Sequence, residues 1–200
     1  MPDSNSSQTR SMPASRLLLA AIAFFCLGGI AAFALARKPS ETAKVPGVGV
    51  PASWIEVAWP FPTDEWGQGK ALRCQALKCG TGIQVYLRPK IGFCNCSSGL
   101  ADDIELDRVS DFGLMGDGVV PVGEGKPIQV ESMVGRTRIY SIGRPGDERF
   151  AISAAFNNNC DVIVATAIVD RSKVVVAQSI ALEFLSTEYV LGWAKHELGL

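Results

Sequence analysis

Histidine is nearly absent from this chain: among 200 residues only His196 is present, four places from the C-terminus. A Ser-His-Asp or Cys-His centre would have to use it. No Gly-x-Ser-x-Gly elbow stands ready as its partner, so catalysis through His196 is not expected. An excess of charge is absent too. Lysine and arginine number 19 against 20 aspartates and glutamates, a formal net charge of −1. A phosphate-binding face shows as clustered Lys and Arg. Here the basic residues are scattered, with Arg136 and Arg138 alternating on a strand, so nucleic acid is not expected as a partner. Cys-x-x-Cys-His is missing, which excludes covalent haem of that type. Asp111-Phe112-Gly113 repeats three letters of a kinase signature, but no glycine-rich phosphate loop or His-Arg-Asp loop accompanies it. Gly123-Glu124-Gly125-Lys126 lacks the spacing of a phosphate loop. Asp102, Asp103, Glu105, Asp107 and Asp111 lack the order of a calcium loop and read as a solvated helix face. No internal repeat is visible.

What the chain does have begins with a long apolar run. Leu17–Ala36 holds twenty apolar or small residues and no charge. That length of helix spans the hydrocarbon core of a bilayer, and a buried core helix would normally carry a polar face. Residues 1–16 read as a disordered tail, 17–36 as a single transmembrane helix, 37–53 as a Pro- and Gly-containing linker, and 54–200 as the folded domain. Ala34-Leu35-Ala36 also fits the small-x-small pattern of a cleaved signal peptide. The run exceeds the usual signal core, however, and Arg37-Lys38 follow at once, which favours an anchor. Basic residues flank both ends, so the positive-inside rule leaves the orientation open.

The domain reads as α+β. Trp54 to Gly69 carries three tryptophans and Phe61 and looks like an irregular segment whose rings cover one edge of the core. Thr81 to Leu87 alternates like a strand. A short helix opens at Ala101 or Asp102, takes its apolar spacing from Ile104, Leu106 and Val109, and ends at Gly113. Pro127 to Gly143 reads as a hairpin turning near Gly135-Arg136. Phe150–Phe156 and Val162–Val169 read as a second hairpin, turning at Asn157-Asn158-Asn159. From Val174 the period becomes helical, with Ser186 as the N-cap between two helices and Ile180, Phe184, Tyr189, Val190 and Trp193 as the buried stripe. The expected architecture is an antiparallel sheet of about five strands, with C-terminal helices on one face.

Six cysteines remain to be explained. Cys26, inside the apolar run, acts as a small hydrophobe. Cys74, Cys79, Cys94, Cys96 and Cys160 are too many for a typical reduced domain, and in an oxidising space they pair. A turn over Gln75 to Lys78 would bring Cys74 and Cys79 within the roughly 7 Å between Cα atoms that a disulfide needs. Cys94 and Cys96 are two apart and do not readily bond to each other in extended chain. Either of them could join Cys160, leaving the other free. That bond would close a loop of over sixty residues, worth about 3 to 4 kcal/mol in the loop-entropy model. Two other chemistries compete. Cys94 and Cys96, with Cys79 as a third thiolate, suit Cu(I) or zinc, but the paired spacing and histidine of structural zinc sites are missing. A redox use of Cys94 and Cys96 lacks the thioredoxin-like setting.

Three stretches carry a resemblance: "WPFPTDEWGQGK", "KIGFCNCSSGLADD" and "NNNCDVIVATAIVD". Through them the chain resembles an uncharacterised family of membrane-anchored alphaproteobacterial proteins. The resemblance implies a bacterial inner membrane and periplasm, and no activity. The expected function is a non-enzymatic, disulfide-stapled periplasmic accessory or interaction domain. It would be held in the lipid bilayer by Leu17–Ala36, would need no cofactor, and would have an envelope protein as partner. The alternative is a thiol-redox or copper-handling protein using Cys94 and Cys96.

Overall fold

The computed structural model describes residues 49–143 and 149–200. The tail, the apolar run Leu17–Ala36 and most of the linker lie outside the described residues. Among the described residues no single helix is long and apolar enough to cross a membrane.

The chain forms β1 (Trp54–Val57), β2 (Lys70–Cys74), a one-turn α1 (Ala76–Cys79), β3 (Ile83–Lys90), α2 (Asp103–Val109), α3 (Phe112–Met115), β4 (Val120–Val130), β5 (Met133–Ile142), β6 (Arg149–Asn158), β7 (Asp161–Asp170), a 3-10 turn (Arg171–Lys173), α4 (Val174–Leu185) and α5 (Glu188–Glu197). The strands make one seven-stranded sheet in the order β1-β2-β3-β7-β6-β5-β4. Every neighbouring pair is antiparallel. Two meanders, β1 to β3 and β4 to β7, meet where β3 pairs with β7.

Seven strands replace the five expected. The additional two are β1 and β2, hidden in the sequence because they are four and five residues long, too short for alternation to show. β3 also runs three residues past Leu87, through Pro89 to Lys90. β2 begins at Lys70, opposite Leu87, so beyond Leu87 β3 has a strand neighbour on one side only, the setting in which a strand proline is tolerated. The first long hairpin turns at Glu131-Ser132, with Glu131 at φ 55°, and not at Gly135-Arg136. Gly135 lies inside β5, where a Cβ would stand 2.3 Å from the Ala155 carbonyl oxygen. Its glycine marks close backbone approach within the sheet. The second hairpin turns one place later than expected, at Asn159-Cys160, with Asn159 at φ 53°.

Alternation along the strands divides the side chains between two faces. Phe150, Ile152, Ala154 and Phe156 of β6, with Ile163 and Ala165 of β7, meet Ala177, Ala181, Phe184, Val190 and Trp193 of α4 and α5 in the main core. Trp54 closes its edge by stacking on Phe184 at 3.9 Å between ring centroids. Val50, within the expected linker, also packs on this core. Thr187, not Ser186, is the N-cap of α5; Ser186 ends α4 and donates its hydroxyl back to the Leu182 carbonyl. The opposite face is covered by the 29-residue connection from β3 to β4, which carries α2 and α3.

Candidate functional site on the loop-covered face

β3 turns Gln84, Tyr86, Arg88 and Lys90 toward the covered face, because residues two apart share a side. Arg88 is 1% exposed and Lys90 4%. Such burial demands countercharge. Asp111, between α2 and α3 and itself buried, supplies it: Lys90 Nζ lies 2.9 Å from its Oδ1 and Arg88 Nε 3.6 Å from its Oδ2. Lys90 also donates to the Val109 carbonyl at 2.7 Å. Asp64 reaches in from the segment before β2 and accepts from Arg88 at 2.5 Å. That hydrogen bond is the main reason its carboxyl sits below its ordinary value. Trp59 covers the Arg88 guanidinium at 5.1 Å, and Trp66 and Phe93 lie 5.5 and 5.4 Å from Lys90 Nζ. The aromatic segment therefore covers a charged layer on this face, while Trp54 alone serves the main core. Two cations face two carboxylates, so the set is balanced, and it ties α3 and the aromatic segment to β3.

A second layer joins α2 to β5. Asp102 caps α2 by accepting from the Glu105 N–H at 2.8 Å. Asp103 and Asp107, one turn apart, meet the strand: Asp103 pairs with Arg136, and Asp107 lies 3.1 Å from Arg138. Tyr140 donates to Asp107 at 2.6 Å. Asp103 also accepts from the Gly125 N–H, the largest cause of its lowered pKa, followed among the lowering influences by Arg136. A Cβ on Gly125 would stand 2.3 Å from that carboxylate, so the glycine pair of "GEGK" forms a β4 bulge that receives α2. These contacts correct the solvated acidic face read from the sequence. Four of its five carboxylates, Asp103, Glu105, Asp107 and Asp111, are engaged with basic side chains. Conversely Ile104, counted among the apolar spacing of the helix, is 79% exposed; only Leu106 and Val109 are buried. Gly113 lies inside α3 and does not end the helix, which stops at Ser110.

The cysteines divide between the faces: Cys74 and Cys79 lie with the main core, and Cys94 with the loop-covered side. Cys74 is bonded to Cys79 across α1, with Cα atoms 6.2 Å apart. Cys96 is bonded to Cys160, with Cα atoms 4.2 Å apart. The second bond ties the β3–β4 connection to the β6–β7 turn. In the loop-entropy model a bond spanning 64 residues stabilises by about 4 kcal/mol and one spanning five by about 2, so the long bond matters more. Cys94 is a free, buried thiol in a cluster with Leu100, Leu106, Val109 and Val162. Burial first, and the nearby Glu105 carboxylate second, push its pKa up. Such a thiol is a poor thiolate nucleophile at neutral pH. Cys79 and Cys96, the other members of the considered metal set, are engaged in separate disulfides. Among the described residues no group of three or more His, Cys, Asp and Glu side chains gathers to hold a metal. His196 is exposed on α5, and its neighbouring carboxylate is Glu197 at 3.6 Å.

Sequence reasoning missed Arg88, Lys90 and Asp64. The available signal was the alternation Gln84, Tyr86, Arg88, Lys90, which Pro89 obscured.

Fold and site together define an α+β domain with a seven-stranded antiparallel sheet, C-terminal helices on one face and a disulfide-tied polar layer on the other. No family model matches the chain, and no curated protein matches it. Among solved structures it is similar to LpqN, involved in cell envelope biogenesis of Mycobacterium tuberculosis, at 11% identity and a TM-score of 0.45 over 70% of this chain and 79% of that one. It is also similar to the cyanobacterial PsbP (CyanoP) of Synechocystis, at 13% identity and a TM-score of 0.44 over 66% of this chain and 78% of that one.

Proposed function

We propose that this chain is a membrane-anchored periplasmic domain of the bacterial inner membrane, acting as a non-enzymatic accessory or interaction module for another envelope protein. One observation carries the reading: five cysteines of one domain resolve into two bonded pairs and a single buried thiol. Disulfides persist in oxidising compartments and are rare in reduced ones. The uncharged run Leu17–Ala36 supplies the means of holding such a domain at the membrane. The balanced charges of Arg88, Lys90, Asp64 and Asp111 support a scaffold role for the covered face.

The test is cell fractionation with protease added to intact spheroplasts. The full chain is expected in the membrane fraction, with its C-terminal domain digested from outside. A domain protected until the membrane is lysed would overturn the periplasmic placement. Recovery as a soluble periplasmic protein beginning at Arg37 would overturn the anchor.

A further inference from the structure

Cys94 and Cys96 compete for one neighbour. The Cys94 N–H donates to the Cys160 carbonyl at 2.8 Å. With standard bond lengths that contact holds the two Cα atoms within about 6.7 Å, inside the reach of a disulfide. Cys96, already bonded to Cys160, is exposed, whereas Cys94 is 5% exposed. The backbone therefore brings Cys94 within disulfide reach of Cys160, the residue that Cys96 already holds.

We propose that Cys94, Cys96 and Cys160 form a thiol–disulfide exchange site, in which the Cys96–Cys160 bond converts to a Cys94–Cys160 bond and presents a reactive Cys96 thiol to disulfide-bearing partners. This rests on the two-disulfide reading above and goes beyond it. The Cys94 thiol loses its proton and attacks Cys160 Sγ. The Cys94–Cys160 bond forms, the Cys96–Cys160 bond breaks, and Cys96 leaves as a thiolate that takes up a proton, with no net oxidation. The Cys96 thiolate attacks one sulfur of a partner's disulfide, forming a mixed disulfide and expelling the second sulfur as a thiolate. Burial of Cys94 makes the first step slow at neutral pH. The groups acting on it are Glu105 and Arg108 of α2 and Asp161 of β7; both carboxylates hold its proton on and the guanidinium loosens it. The rate should rise roughly tenfold per pH unit until the pH reaches the thiol's own value.

The probe is oxidised glutathione, added to the full-length oxidised protein between neutral pH and pH about 9, followed by acid quench and peptide mapping. A glutathione adduct on Cys96 together with a Cys94–Cys160 link is expected, its yield climbing with pH. The Cys94→Ser chain should give no adduct at Cys96. In the Cys96→Ser chain Cys94 and Cys160 should be found bonded to each other. An intact Cys96–Cys160 bond with no adduct at any pH, an adduct at Cys96 in Cys94→Ser, or two free thiols in Cys96→Ser would each overturn the exchange alone. Six free thiols in the protein as isolated would overturn it and the two-disulfide reading together.

Discussion

At the scale of single residues the molecule concentrates its risk in Asp111. This carboxylate is the shared countercharge of Arg88 and Lys90, both almost fully buried. Asp111→Ala would leave the buried Lys90 with no carboxylate and the buried Arg88 with Asp64 alone. Breaking a buried pair by removing one partner costs about 3–5 kcal/mol, so urea unfolding should show a loss of that order. Asp170→Ala removes only the exposed partner of Lys173 and should cost less than about 1 kcal/mol. Equal effects would mean that the charged layer holds nothing together. Three other carboxylates of this face set an acid limit. Asp64, Asp103 and Glu105 all titrate below their ordinary values of 3.8, 3.8 and 4.5 in the folded protein, held there mainly by Arg88, the Gly125 N–H and Arg108 respectively. A lowered folded value means that the stability is fully present above the ordinary values and is lost as pH falls through the folded ones. The unfolding midpoint should therefore be flat in this contribution above pH about 5 and fall below pH about 4. Arg88→Met should shrink the part of that fall owed to Asp64.

At the scale of elements, legibility in the sequence followed length and periodicity. The long strands β5 to β7 and the two C-terminal helices were visible because ten or so residues give alternation or helical spacing time to repeat, whereas of β4 only the part from Pro127 was, its first half being broken by the bulge at Gly123 to Gly125. Asp102 at the head of α2 was visible because its cap is local chemistry. β1 and β2 were not visible, since four or five residues hardly repeat anything. The charged layers were not visible because they depend on which strand α2 crosses. Asp103 finds Arg136 across 33 residues and Arg88 finds Asp64 across 24, distances over which no local pattern runs. Glycine misled at 135 because tight turns and close strand contact both call for it. The long disulfide tests how elements are tied. Cys160→Ser opens the 64-residue loop and removes Cys160 from either pairing, so it should lower stability by about 4 kcal/mol. Cys79→Ser, which opens only the loop across α1, should cost about 2 kcal/mol. The reverse ranking in denaturant unfolding would mean that the β3–β4 connection is held by its ion pairs alone. Deleting Val174 to Leu200 should abolish cooperative unfolding, because it strips Phe184, Val190 and Trp193 from the main core. Each such side chain is worth about 1.5–3 kcal/mol, in a domain whose total is about 5–15.

At the scale of the whole molecule, the proposal joins a sequence feature to a structural one: an uncharged run at Leu17–Ala36 and a domain whose cysteines pair. In the proposal the first would hold the chain at a bilayer, by its length, and the second would put the domain on the oxidising side, by thiol redox poise. The most direct test is a thiol count on protein trapped straight from cells. Cells are quenched in acid, all thiols are alkylated under denaturing conditions, and the full-length chain is mapped before and after reduction. Of six cysteines, four should be protected until reduction, leaving two alkylated at once: Cys26 and one of Cys94 and Cys96. Six cysteines alkylated before reduction would contradict the account, because the domain would then be folding and working in a reducing space.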